Sequence, residues 1–453
     1  MAELLTSRRR LLLGTAGVVL SAGVQMNLRA GFAAEPRPDL AALAEDAAIW
    51  GLPLVQTGRY LKLAQTQGYS FNRFYLHQGL ATPAMKLIGP NIDTIYGFAW
   101  LDLSQGPLVL DVPDAADRYY SIQFTDAYEN SFAYVGRRAT GTKAGRFVIA
   151  ESTWQGSIPP GAKRIDAPTS LLFVLTRTLV KSAADLPAAQ ALQAGYLLGT
   201  LQGYPASRKA PIALGNVPNN LPILDFSHSG AGYFTELDAL VKLYPPRGQE
   251  AEAFARFAPL GLGQGFAQHP PLPADKVELA LANAVKRIKS ANIAENNDGW
   301  RVNYHISSFI ADPVARAAGN SFGPGAHIAE EALYFNTAAD ANGNPLTGAR
   351  HYTLTFPKGQ LPPAHAFWSL ILYGSDFLLV DNPINRYTIN DRTPGLVYEP
   401  DGSLCILIQH DAPQGQVNWL PAPTGGFRLI LRTYQPDESL RSGKYRVPKL
   451  IAV

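Results

Sequence analysis

The stretch PLVLDVPDAADRYYSIQFTDAYENSFAYVGRRATGTKAGRFVIA, residues 107–150, decides the fold. Leu108-Val109-Leu110-Asp111-Val112, Tyr119 to Tyr128, Ser131 to Val135 and Arg146 to Ala150 are short runs rich in β-branched and aromatic residues. Pro-Asp and Gly turns separate them. Such runs suit a pleated, half-buried surface, and turns at this spacing join adjacent strands. Leu171 to Thr176 predicts one strand more.

Working outward, Leu40, Leu43, Ala44, Ala47, Ala48 and Leu52 recur at helical spacing, so a helix is expected over residues 40–55. Residues 186–203, 235–258 and 276–291 are rich in Ala, Leu and Lys and predict a helical middle section, while 215–229 predicts a surface loop. Strands return in Glu331 to Asn336, His351 to Pro357, Ala366 to Tyr373, Leu404 to His410 and Phe427 to Tyr434. Asp340 to Pro345 and Asp401-Gly402 supply hairpin chemistry. With 40 Gly, 35 Pro and 10% aromatics, the expected class is mainly β with a helical middle section. The boundaries expected are 1–34, 35–180 (β), 181–300 (helical) and 301–453 (β).

Residues 1–34 carry Ser7-Arg8-Arg9-Arg10, an apolar run from Leu11 to Val24, and Ala30-Gly31-Phe32-Ala33-Ala34. A basic stretch, an apolar run and a small-residue exit are the layout of a secretory signal peptide. The paired arginines point to twin-arginine export and a periplasmic or secreted location. Removing Arg8, Arg9, Arg10, Arg29 and Glu3 takes 39 basic and 36 acidic residues to 35 and 35. A neutral body lacks the basic surface that nucleic acid or anionic membrane requires. No transmembrane helix is expected in the mature chain, and a homo-oligomer is compatible with it. A lone Cys405, in an apolar run, excludes internal disulfides and thiolate metal clusters.

Three polar clusters interrupt the apolar pattern. Asn91, Asp93 and Tyr96 lie in the first. Tyr120, Asp126, Tyr128 and Asn130 lie on one face of an extended second, with Arg137 close behind. An apolar wall ending in Asp, Tyr and Asn resembles the mouth of a pocket. The other common use of such aspartates is to cap turns. Asp93 and Asp126 are therefore acid/base candidates with Tyr96 as their catalytic companion. Asn91, Tyr120, Tyr128, Asn130 and Arg137 are candidates for holding the substrate. The third cluster, Trp368, Arg386, Asn418 and Trp419, suits either a sugar platform or a tied corner of a β-sandwich.

Eight histidines include no HxH, HxxxH or HExxH arrangement, so no metal ligand set is assigned and the cofactor stays unknown. Gly319-Asn320-Ser321-Phe322-Gly323 fits the nucleophile-elbow spelling, but no strand precedes it and Pro324 follows.

Asn91 to Tyr96, Gly106 to Leu110, Arg118-Tyr119-Tyr120 and Gly136 to Gly141 resemble the bacterial domain of unknown function 1254. Glu331 to Tyr334, Phe367-Trp368-Ser369, Asp401-Gly402-Ser403, Asn418 to Pro423 and Leu431 to Tyr434 resemble domain of unknown function 1214. The resemblance implies two β-sandwich or jelly-roll-like domains joined by helices, in exported or envelope-associated proteins. It brings no catalytic set. The residues then point first to an enzyme, a hydrolase or lyase, acting on a small polar or carbohydrate-like molecule between two β domains. A non-catalytic binder of a glycan or protein is the alternative, and a metal-dependent oxidoreductase the third.

Overall fold

A computed structural model describes residues 39–86, 88–214, 230–266, 268, 271–307 and 312–453. The signal-peptide segment and the 215–229 loop lie outside the described residues.

Ten strands make the first half: β1 (Tyr75–His77), β2 (Thr94–Asp102), β3 (Leu108–Val112), β4 (Tyr120–Asp126), β5 (Ser131–Gly136), β6 (Gly145–Glu151), β7 (Lys163–Ala167), β8 (Leu171–Leu179), β9 (Leu197–Thr200) and β10 (Ile212–Leu214). They form a six-stranded sheet, β10-β1-β2-β8-β4-β5, and a four-stranded sheet, β7-β6-β3-β9. Alternation explains how they pack. On β4, Tyr120, Ile122 and Phe124 face the four-stranded sheet and share a core with Leu108, Leu110, Phe147 and Ile149. Their neighbours Ser121, Gln123 and Thr125 point the other way.

The second half repeats the plan: β11 (Glu295–Asn297), β12 (Trp300–Val302), β13 (Ala332–Thr337), β14 (Tyr352–Phe356), β15 (Ala364–Gly374), β16 (Thr388–Asn390), β17 (Leu404–Gln409), β18 (Trp419–Pro421), β19 (Phe427–Pro436) and β20 (Ile451–Ala452). The sheets are β11-β12-β13-β19-β15-β16 and β18-β17-β14-β20. Trp368, Leu370, Leu372, Leu429 and Leu431 from one sheet and Tyr352, Leu354, Ile406 and Ile408 from the other fill the space between them. The chain is thus mainly β, as two sandwiches.

Helices α1 (Leu40–Thr66), α2 (Leu186–Ala194), α3 (Gly230–Leu243), α4 (Gln249–Ala255), α5 (Ala274–Ser290), α6 (Pro313–Phe322) and α7 (Glu438–Arg441) complete the described elements. Asp39 caps α1 by accepting from the amides of Ala41 and Ala42. The helix expected over 235–258 is two helices, α3 and α4, because Pro245-Pro246 cannot continue the first. The one expected over 186–203 stops at Ala194, and Leu197–Thr200 instead pairs with β3.

The outer face of the first six-stranded sheet is shared between two covers. At one end Phe98, Trp100, Leu171, Phe173 and Leu175 meet α1, α3, α5 and α6. At the other end the outer face of β13, β15 and β19 closes over it, with Tyr119 and Leu179 packed on Phe367 and Tyr434. That second contact is the seam between the two sandwiches.

Candidate functional site: the seam cleft

Each half gives the other a buried carboxylate. Asp93, just before β2, places Oδ1 2.9 Å from the amide nitrogen of Asn390, which donates to it, and 2.6 Å from a guanidinium nitrogen of Arg392. In return Glu331, just before β13, accepts from the Tyr119 hydroxyl at 2.8 Å and from Arg138 Nε at 2.5 Å. Both acids are almost fully buried, at 2% and 1% exposed. Burial pushes the Glu331 carboxyl up, and Arg138 and Tyr119 oppose that rise. The Tyr119 hydroxyl is held well above its usual range by the same burial and by Glu331.

Asn91 fixes the approach to β2. Its side-chain oxygen accepts from the Asp93 amide at 2.5 Å, and its side-chain nitrogen donates to the Tyr434 hydroxyl of the other half. The Tyr96 ring lies under the Arg177 guanidinium, 5.5 Å from its centroid. Arg177 itself donates to Gln123 Oε1 at 2.8 Å and to the Gly325 carbonyl at 2.7 Å. Across the seam Arg432 donates to the Tyr373 hydroxyl at 2.5 Å and the Gly89 carbonyl at 2.6 Å. Arg177 and Arg432 are both buried, and among the described residues neither forms an ion pair with a carboxylate.

Ser121 and His327 also meet here, with Oγ 3.3 Å from Nε2. The other ring nitrogen, Nδ1, faces Arg177 at 3.5 Å, and a guanidinium only donates. Burial and the two nearby arginines, 177 and 138, drive the His327 pKa well down, so the ring is neutral. With Nδ1 as acceptor, its proton sits on Nε2 and is donated to Ser121. A serine nucleophile needs the opposite arrangement, with the ring accepting. This pair is a structural bond.

The seam opens at one side into a cleft of ≈ 360 Å3, lined by Asp117, Tyr119, Arg137, Lys181, Asp391 and Arg392 among others. Arg392 stacks over Phe367 at 4.7 Å and pairs with both Asp93 and Asp391. Arg137 Nη1 donates to Gln435 Oε1 at 2.6 Å and to the His365 carbonyl at 3.2 Å, while its Nε lies 3.2 Å from Asp117. Burial pushes the Asp391 carboxyl up to about 6; Arg392 opposes this and Asp93 reinforces it.

The seam collects four of the residues singled out in the sequence, Asn91, Asp93, Tyr96 and Arg137, and separates the rest from them. Asp126 pairs with Leu172 on β8, whereas Asp93 bonds through its carbonyl to Val180, eight residues along that strand. The two aspartates stand about 26 Å apart, too far to share one small substrate. Asp126 caps its own turn, accepting from the amides of Tyr128 and Asn130 at 2.9 Å. Asn130 continues to Glu250, and Tyr128 packs against Trp50 under the helices. Tyr120 lies inside the first sandwich.

The third cluster is a corner of the second sandwich. Asn418 accepts from the Val397 amide and donates to the Val397 and Cys405 carbonyls. Trp419 is buried and donates to the Gln409 carbonyl, Arg386 holds the Trp419 carbonyl, and Trp368 fills the core against Phe356. The polar side-chain atoms of Asn418 and Trp419 are committed to the protein. Ser321, in α6, bonds the Ala317 carbonyl, so no elbow forms. Among the described residues no three His, Cys, Asp or Glu side chains are grouped to hold a metal ion.

The residues that sequence reasoning passed over are Arg177, Asp391, Arg392 and Arg432. The legible signal for two of them was an arginine inside an apolar strand: Arg177, the lone charge in Leu171–Leu179, and Arg432, after Leu429-Ile430-Leu431 in Phe427–Pro436.

Two sandwiches that exchange buried carboxylates across a charged seam define the class of protein. The chain belongs to the family that joins the domain described as "Protein of unknown function (DUF1254)", matched over residues 71–200, to "Protein of unknown function (DUF1214)", matched over 331–438. The crystal structure of the VPA0106 protein from Vibrio parahaemolyticus shares the fold, with a TM-score of 0.71 at 21% identity, over 91% of this chain and 100% of that one. An uncharacterised protein from Burkholderia cenocepacia aligns over 92% and 94% of the two chains at 11% identity and a TM-score of 0.43. No curated protein matches the chain.

Proposed function

We propose that the protein is an exported acid–base enzyme, a hydrolase or lyase, that works on a small polar, carbohydrate-like molecule in the seam cleft. The observation that carries this reading is an open cleft at the joint of the two halves, lined by charged side chains from both. Asp391 is the acid/base group, since a carboxyl near 6 exchanges protons readily around neutral pH. Arg392 is anchored from below by Asp93 and fixes Asp391 from the side. Arg137 and Lys181 face the same space and neutralise developing negative charge. Asp93 is then a positioning residue, and Asp126 takes no part. The twin-arginine segment sends the folded body to the periplasm or beyond.

A non-catalytic binder is the second reading, favoured by Arg137 and Arg392 each being ion-paired within the protein. Turnover of a library of glycosides and sugar acids, followed by NMR, separates the two. On the first reading Asp391→Asn removes turnover and leaves the melting temperature within a degree or so, and wild-type rates rise or fall through a limb near pH 6. Unchanged turnover in Asp391→Asn overturns it.

A further inference from the structure

The seam holds more positive charge than its acids neutralise. Arg137, Arg138, Arg177, Lys181, Arg392 and Arg432 bring six cations to it. Asp93, Asp117, Glu331 and Asp391 bring four carboxylates, leaving an excess of two. The rest of the chain is close to balanced: the full sequence carries 39 basic and 36 acidic residues. Arg177 and Arg432 contribute most to the imbalance. Both are buried and bound only by neutral groups: carbonyls, an amide oxygen, tyrosine and, for Arg177, the His327 ring. A buried cation without a counter-ion is costly, and an anion brought close recovers part of that cost.

The cleft also has donors to offer. Among the described residues no carboxylate lies within ion-pair distance of the Lys181 ammonium at its rim. Arg137 and Arg392 are guanidinium groups, whose five donors exceed the bonds each makes here.

We propose that the seam cleft takes a small hydroxylated carboxylic acid, such as a sugar acid, whose carboxylate is held by Lys181 and Arg137. This rests on the reading of the cleft as the ligand site and adds the charge of what it binds. A planar carboxylate fits the guanidinium fork, and hydroxyl groups suit Asp117 and Asp391 as acceptors. Arg177 and Arg432 act through their field and make no contact.

Calorimetric titration of the full-length protein at low salt tests it, with glucuronate and gluconate as probes, glucose as the neutral counterpart, and inorganic phosphate as the competing anion. Glucuronate or gluconate is expected to bind at least about tenfold tighter than glucose. Lys181→Gln, an exposed change that spares the fold, is expected to weaken the acid about fivefold, the upper end for an exposed charge pair, and leave glucose unaffected. Added salt weakens the acid alone. Equal binding of glucose and the acids, tighter binding of phosphate, or an unchanged acid affinity in Lys181→Gln overturns the anion assignment while the cleft remains the site. Failure of all four probes to bind overturns it too; Asp391-dependent turnover of another substrate then shows that the enzymatic reading survives, and its absence that both fall.

Discussion

Replacing Glu129 with glutamine should stabilise this protein in alkaline solution and do nothing for it in acid. Glu129 sits on the turn between β4 and β5, with φ of 59°, and its Oε2 is buried without a hydrogen-bond partner. Around it are Asp126, Tyr60 and Arg316, and Arg316 is itself paired with Glu250. Burial, reinforced by Asp126 and opposed by Arg316, pushes its carboxyl from 4.5 up to about 8. The folded state therefore keeps a proton that the unfolded chain releases. The stabilisation is whole below pH 4.5, fades as pH rises, and is gone above 8. The span of 3.5 units sets a ceiling of about 5 kcal/mol on what the native state loses between those limits. Glutamine has the same shape and no proton to lose. Thermal and denaturant unfolding at pH 4, 7 and 9 should show Glu129→Gln equal to wild type at the lowest pH and more stable by a few kcal/mol at the highest. A uniform shift at every pH, or a loss of stability at pH 9, would refute the reasoning.

Asp126→Ala should cost about 1–3 kcal/mol, since it strands two buried amides, and should leave any turnover of the folded fraction unchanged; chemical denaturation and a rate assay check both. Asp93→Ala, which leaves Arg392 to Asp391 alone and strands the Asn390 amide below the cleft, should cost about 3–5 kcal/mol, whereas Asp93→Asn should recover much of that in the same melts. Asn418→Ala should destabilise by about 1–3 kcal/mol, through three lost bonds at a residue with φ of 46°, without touching ligand affinity measured by calorimetry.

Most strands were legible because each carries its own pattern. The segment Leu108 to Val112 is a short apolar run followed by proline, and β14, β15, β17 and β19 fall within a few residues of their expected bounds. What failed was non-local. Leu197–Thr200 looks helical beside α2 and becomes a strand only because β3 offers it an edge. Asn91, Asp93 and Arg137 could be singled out as polar residues among apolar ones, but their partners Tyr434, Arg392 and Gln435 lie roughly 300 residues away. Pairing Asp93 with Asp126 was natural for two acids 33 positions apart, and the register of β8 puts them at opposite ends of a sheet. Asn418 and Trp419 have the composition of a sugar site because a corner that must satisfy backbone carbonyls draws on the same donors.

The mutual loan of carboxylates across the seam makes the two sandwiches debtors to each other. Cut between them, the first would keep Asp93 without Arg392 and Arg138 without Glu331, and the second the reverse. Each piece would also bare the aromatic face that Tyr119, Phe367 and Tyr434 now share. Neither fragment is a finished module, so the pair has to be expressed and inherited as a single piece.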